Sequence, residues 1–254
     1  RLIKIGKMHG IPVIEDCCQA HGTKYNGKTA GSFGLAGAFS FFATKHMTTG
    51  EGGMITTNNP DIAERSRLIR THGMTDRHTH VLLGHNYRMN EIEAAIGLAQ
   101  LKKLPGLNKK RISNSLYLIE RLSGLDWMKP PVLMPEVEHT FFWIPFLVDE
   151  KKLGITTEEL AARLRKRGVE VRHRYNEPLY KQDIFNKRNK MRKLSLFSAP
   201  CGRASDYSNI SLPNAERISG KLIGLPNHPG LGRKELDKVV DAIVSLTPPP
   251  SAPP

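Results

Sequence analysis

The chain alternates short apolar runs with amphipathic stretches. The opening R-L-I-K-I-G-K-M-H-G reads as the end of a helix. It feeds into Ile11–Glu15, a short apolar, β-branched run set off by Gly10 and closed by Asp16. Such a run suits a buried strand of a parallel sheet. Ala36–Phe42 and Gly53–Thr57 are two further strand candidates. Asn59-Pro60 then opens a helix, with Asn59 as cap and Pro60 in the first turn. Its pattern Ile62, Arg65, Leu68, Ile69 runs to a stop at Gly73. Residues 74–88 are polar and histidine-rich, and predict a loop. Asn90 caps a helix with Ile92, Ala95, Ile96 and Ala99 on one face, broken by Pro105 and Gly106. Residues 108–122 predict another helix, with Ile112, Leu116, Ile119 and Leu122 on one stripe.

The character then changes. Met128–Pro135 is proline-rich and reads as a linker, and residues 140–148 read as a strand. Thr156-x-x-Glu159 is a capping-box pattern for a helix ending at Gly168. V-E-V-R-H-R-Y (169–175) and K-L-I-G-L-P (221–226) predict strands. Arg233–Leu246 predicts an amphipathic helix with Leu236, Val239, Val240 and Ile243 inward. The expected architecture is an α/β domain over 1–107, a connecting helix over 108–127 and a small α+β domain over 128–247. The proline-rich end, 248–254, predicts a disordered tail. A domain seldom opens on such a helix without a strand before it, so the chain reads as the back portion of a longer protein.

Composition narrows the class. The chain has 254 residues and a 39% apolar fraction, enough for a sizeable core. No apolar run approaches bilayer length, and there is no secretory leader. Cys17, Cys18 and Cys201 make neither a disulfide framework nor a zinc ribbon; adjacent cysteines rarely form a relaxed disulfide. The expectation is a soluble, cytoplasmic protein with no membrane partner. The net charge is +14. Between Arg163 and Lys193 twelve Lys or Arg face three acids, which reads first as a solvated basic face. No nucleic-acid motif accompanies it, so nucleic acid is not the expected partner. His72, His78, His80 and His85 have irregular spacing, and no cysteine or acid completes a metal set.

Two groups stand just past strand ends, Asp16 and Lys45. In open α/β sheets the ligand crevice lies outside the carboxyl ends of the strands. One ligand that needs both is pyridoxal 5′-phosphate (PLP): lysine takes its aldehyde and an acid pairs with its ring nitrogen. Taken alone, an Asp and a Lys read first as a surface pair.

The wider pattern decides between them. I-E-D-C-C-Q-A-H-G, then G-S-F-G-L-A-G-A-F-S-F-F-A-T-K-H-M-T-T-G-E-G-G-M-I-T-T-N, then H-N-Y-R-M-N-E-I-E-A-A-I-G-L-A-Q-L closely resemble the DegT/DnrJ/EryC1/StrS family of PLP-dependent sugar aminotransferases. The close match covers about residues 10–104. A weaker one runs through G-V-E-V-R-H-R-Y-N-E-P-L-Y and L-P-N-H-P-G-L to the last helix. The wording T-T-G-E-G-G resembles the perosamine-synthase-like, 4-amino-sugar branch.

The resemblance implies a PLP-dependent transferase (aspartate aminotransferase type I) fold, with a partial large domain and a small C-terminal domain. It implies that Lys45 forms the Schiff base with PLP and that Asp16 partners the ring nitrogen. Gln19 matches a contact on the ring-hydroxyl side and Ser40 a phosphate-binding hydroxyl. Asn86 matches an asparagine that reaches the phosphate in the neighbouring subunit, so a homodimer with a shared site is implied. Arg172 and His173 are implied at the substrate mouth. The implied reaction moves an amino group from glutamate or glutamine to a keto sugar on a nucleotide diphosphate. Members with histidine at the lysine position are dehydratases; here the lysine is present, followed by His46. The resemblance also implies that the family's N-terminal portion is absent, leaving open an inactive or partial fragment.

Overall fold

The computed structural model describes residues 1–173, 175–182, 185, 207 and 210–248. In chain order the elements are α1 (Leu2–Met8), β1 (Ile14–Asp16), β2 (Lys24–Tyr25), β3 (Lys28–Thr29), β4 (Ala36–Ser40), β5 (Gly53–Thr56), α2 (Pro60–Arg70) and α3 (Glu91–Leu122). Then follow β6 (Met128–Lys129), β7 (Val137–Glu138), β8 (Ile144–Val148), α4 (Glu150–Leu153), α5 (Thr157–Lys166), β9 (Arg172–His173), α6 (Pro213–Ile218), β10 (Leu222–Leu225) and α7 (Arg233–Val244). They form two compact units. The first holds Arg1–Leu116, Val132–Phe142 and Asn227–Gly230; the second holds the described parts of Tyr117–Pro131, Trp143–Pro226 and Leu231–Pro254.

In the first unit, β1 runs parallel to β4, with Asp16 opposite Ala38, and β5 runs antiparallel to β4, with Gly53 opposite Ser40. A second sheet, ordered β3-β2-β7, joins residues far apart in sequence. The sequence predicts β1 as a buried strand, and the structure differs: Ile14 is 67% exposed. β1 is an edge strand, and nothing among the described residues covers the face that carries Ile14. The Asn59 cap holds, its side chain accepting from Ile62 N at 3.0 Å.

The predicted break at Pro105 does not occur. α3 is one helix of 32 residues with Pro105 inside it. An interior proline costs about 3 kcal/mol, but anchors on both sides hold the helix. Leu104 packs with Phe41 and Met47, and Asn108 Nδ2 donates to the His21 carbonyl at 2.9 Å. The inward stripe also differs from the predicted one. Leu104, Asn108, Ser115, Leu118 and Leu122 are buried, whereas Leu116 is exposed. The polar members have partners: Asn227 Nδ2 donates to Ser115 Oγ at 3.0 Å, and Asn114 Nδ2 to the His228 carbonyl at 3.1 Å.

The second unit is an antiparallel sheet ordered β6-β8-β10-β9. Phe146, Ile223 and Leu225 from the sheet, Leu160 and Leu164 from α5, and Val239, Val240 and Ile243 from α7 build its core around Trp127. The residues predicted as a linker contribute β6 at one edge of this sheet. Thr156 caps α5 by accepting from Glu159 N at 3.1 Å. No helix among the described residues is long and apolar enough to cross a membrane.

Candidate active site

Lys45 lies in the turn that leaves β4. Its backbone N–H donates to the Phe42 carbonyl at 3.0 Å. The loop folds back on itself: Phe41 N donates to Gly52 O at 2.8 Å, and Thr49 N to Phe41 O at 2.9 Å. That reversal needs left-handed backbone at Gly50 (φ +87°) and Gly52 (φ +139°), which glycine adopts without strain. A side chain at Gly52 would also meet Thr49 Oγ at 2.6 Å. Lys45 is half-buried, with Nζ over the Phe142 ring, 5.0 Å from its centroid.

Asp16, at the end of β1, is exposed. Hydrogen bonds from Cys18 hold its carboxyl below the usual range, and the charge of Lys45 adds to them. One of those bonds is Cys18 N to Oδ1 at 3.0 Å. The charge of Lys45 therefore reaches the predicted carboxylate. Ser40 ends β4, half-buried, its hydroxyl accepting from Phe42 N at 3.3 Å. Gln19 is exposed in the turn closed by Ala20 N to Cys17 O, 3.0 Å. Asn86 is tied elsewhere: it is exposed and bridges Thr71 beyond α2. Arg172 and His173 lie on β9 in the second unit. Arg172 is exposed, and His173 Nε2 donates to the Gly220 carbonyl at 2.7 Å.

Sequence reasoning gave no structural part to three residues near the lysine, His21, His46 and Phe142, or to Glu15 on β1. His21 is buried, and its Nε2 donates to the Ser40 carbonyl at 2.9 Å. Burial pushes its pKa down, and the Lys45 charge adds to this. His46 is buried with Nε2 donating to the Thr140 carbonyl at 3.2 Å. Burial, then Arg111 and His21, push its pKa down to about 3. Both rings are neutral at pH 7, with the proton on Nε2 because a carbonyl can only accept. They stand 5.4 Å apart. Phe142 supplies the ring under Nζ. Glu15 accepts from the N–H groups of Gly31, Phe33 and Gly34 at 2.7, 2.6 and 2.7 Å, which fixes the loop leading into β4. The signal for these histidines was present in A-H-G and K-H-M, but residue type alone does not say whether a histidine is buried.

The other candidates keep to themselves. His80 Nδ1 lies 3.0 Å from the His72 carbonyl, and His85 stacks on Tyr87 with centroids 4.7 Å apart. Among the described residues no group of three or more His, Cys, Asp or Glu is placed to hold a metal. Cys17 is buried and Cys18 half-buried, both free thiols. Burial, chiefly, pushes the Cys17 thiol up to about 11. Cys201, much of the basic 163–193 segment and residues 249–254 lie outside the described residues.

The pattern of the DegT/DnrJ/EryC1/StrS aminotransferase family matches residues 1–244. The chain belongs to this family. It is 30% identical over 257 residues to the uncharacterized protein MJ1066 of Methanocaldococcus jannaschii, covering 96% of this chain and 62% of that protein. Its fold matches DesV of S. venezuelae, solved in complex with a ketimine intermediate: TM-score 0.82, 27% identity, 97% of this chain and 60% of DesV. It also matches DesI, solved with its TDP-sugar product: TM-score 0.79, 25% identity, 97% of this chain and 58% of DesI. The fold is that of the type I PLP-dependent aminotransferases, and the chain spans about three fifths of the length of these relatives.

Proposed function

We propose that this chain is part of a PLP-dependent aminotransferase. In this reading it moves an amino group from glutamate or glutamine to a keto sugar on a nucleotide diphosphate, for amino-sugar or polysaccharide biosynthesis. The observation that carries the reading is a half-buried Lys45 in the turn after β4 together with an Asp16 at the end of β1, whose carboxyl is held below its usual range by Cys18 with the Lys45 charge adding to it. That donor set fits PLP: an amine for its aldehyde, a carboxylate for its ring nitrogen and the Ser40 hydroxyl for its phosphate. When bound, the cofactor supplies an electron sink.

The residues then have separable tasks. Asp16, kept anionic by Cys18 and Lys45, holds a proton on a pyridine nitrogen. Lys45 anchors the cofactor at rest. Once the donor amino acid takes that place, its free Nζ carries a proton to and from the reacting carbon. The Phe142 ring beneath Nζ holds the lysine in place when it is protonated, by attraction of the ammonium to the ring face. Ser40 holds phosphate, Gln19 the ring-hydroxyl side, and Asn86 phosphate in the neighbouring subunit of a homodimer. Arg172 and His173 bind the sugar nucleotide. His46 does not take over the lysine's part as in a sugar dehydratase: it is buried and its Nε2–H is committed to the Thr140 carbonyl.

The test has two steps. The chain is mixed with PLP and treated with borohydride, and its peptides are weighed. Cofactor mass fixed on the Lys45 peptide, absent in Lys45→Ala, is the expected result. No such mass would favour an incomplete site. The chain is then given glutamate and a panel of keto-sugar nucleotides. Formation of 2-oxoglutarate supports the substrate class; loss of water from the sugar without it would make the protein a dehydratase.

A further inference from the structure

We propose that Asn227 and His46 are positioning residues for Lys45: through a strained corner at Thr140–Phe142 they hold the Phe142 ring under its amine. The proposal deepens the reading of Lys45 as the cofactor's anchor. It rests on that reading for the lysine's task, but not for where the lysine stands. Every residue it uses lies in the first unit.

The corner follows β7, which pairs with β2 through Val137 and Glu138. Phe141 sits at φ +50°, left-handed backbone that bulky side chains rarely adopt. A corner that only had to turn would carry glycine or asparagine there. Phe141 is instead buried, 2% exposed. Its ring anchors the corner while its backbone takes the strain. Strain of this kind persists only where the surroundings over-determine it.

Here several bonds do so. Phe141 N donates to His139 Nδ1 at 2.8 Å, and the Phe141 carbonyl accepts from Asn227 Nδ2 at 2.8 Å. Asn227 is buried, and its Nδ2 also donates to Ser115 Oγ on α3 at 3.0 Å, so both its N–H bonds are committed. The Thr140 carbonyl accepts from His46 Nε2 at 3.2 Å. The Thr140 and Thr23 hydroxyls lie 2.8 Å apart. Phe142 leaves this corner with its ring 5.8 Å from that of His46 and 5.0 Å from Lys45 Nζ. His46 directly follows Lys45, so one side chain fixes the corner and stands against the ring that the lysine meets. Asn227 comes from a part of the chain 86 positions away and pins the next carbonyl. With two consecutive carbonyls held, the ring cannot swing off Lys45 without stranding a buried donor, which is costly.

Reductive methylation with isotope-labelled formaldehyde marks each lysine for NMR and keeps its charge. The Lys45 signal, identified by its loss in Lys45→Ala, is expected upfield of the exposed lysines, because an aromatic ring shields groups above its face. Phe142→Tyr keeps a ring face and should keep the shift; Phe142→Leu, which keeps bulk without a ring, should lose it. Asn227→Ala and His46→Ala, with the fold checked by circular dichroism, should lose most of the shift although Phe142 is still present. Where either fails to fold, Asn227→Ser, too short to reach both partners, and His46→Phe, a ring without the donor, take their places. A Lys45 signal among the exposed lysines in the unchanged protein would overturn the proposal. So would a full upfield shift in the folded Asn227 and His46 variants. The shift is read without PLP, so that failure is separate from failure of the aminotransferase reading, which rests on the mass found at Lys45.

Discussion

His21 donates its Nε2–H to the carbonyl of Ser40, 2.9 Å away. Through that bond the turn after β1 grips the last residue of β4, five positions before Lys45. Asn108 on α3 donates to the carbonyl of His21 itself, so the histidine is held from a third element. His21→Ala should orphan the half-buried Ser40 carbonyl and leave a cavity, at a cost of about 2–4 kcal/mol. His21→Gln keeps a donor and should lose less. Urea unfolding measures the cost, and the borohydride-trapped yield at Lys45 shows whether the lysine turn has moved. Equal losses in both variants would mean that the ring's packing, not its bond, holds Ser40.

The buried histidines set a pH window. His21, His46 and His139 all have pKa values pushed below 6.5, in each case chiefly by burial. In the unfolded chain they regain protons as pH falls through about 6.5; in the folded chain they resist. The unfolded state then binds more protons, so stability falls with falling pH, by at most about 1.4 kcal/mol per pH unit for each histidine. For His46 the loss continues toward pH about 3. Asp16 acts lower, since its depressed pKa loses stability only as pH falls below its ordinary 3.8. His46→Gln should flatten the decline between pH 6.5 and 4.5, seen as a shallower slope of urea midpoint against pH. An unchanged slope would show that His46 does not carry it.

Where Asp16 and Lys45 stand along the chain was more legible in the sequence than the packing around them. Asp16 and Lys45 stand at strand ends, and both strands form there. The α7 stripe also holds, because Leu236, Val239, Val240 and Ile243 are apolar where the helix is buried. On α3 the same reasoning misleads. The inward positions include Asn108, Asn114 and Ser115, whose burial is compensated by partners up to 114 residues away. Periodicity cannot see a polar residue satisfied by a distant one. Nor can it tell that β1, apolar enough for a core, has no cover among the described residues.

Glu15 offers a second test of the framework. Its carboxylate accepts from Gly31, Phe33 and Gly34, and such bonds to a charged acceptor are the stronger kind. Glu15→Gln has one acceptor oxygen instead of two and turns an NH₂ toward a backbone N–H. It should cost about 2–3 kcal/mol. Hydrogen exchange should speed at residues 31–34 before the sheet around Lys45 loosens. Exchange confined to the sheet, with the loop unchanged, would show that the loop is held by its own backbone.

Pro105 turns the misread helix into a measurement. In α3 its ring crowds the carbonyl of Leu101 and its nitrogen has no proton to donate, a cost of about 3 kcal/mol. Proline also stiffens the unfolded chain, which returns up to about 1 kcal/mol. Pro105→Ala should therefore stabilise the protein by about 1–2 kcal/mol and raise the melting temperature by a few degrees. The gain requires that Leu104 stays against Phe41 and Asn108 stays on the His21 carbonyl once the proline is replaced. If stability falls instead, the proline itself is what lets both residues reach their partners. Pro105→Ala combined with Asn108→Ala would then lose less than the sum of the two changes, since one would already have broken the contact the other removes.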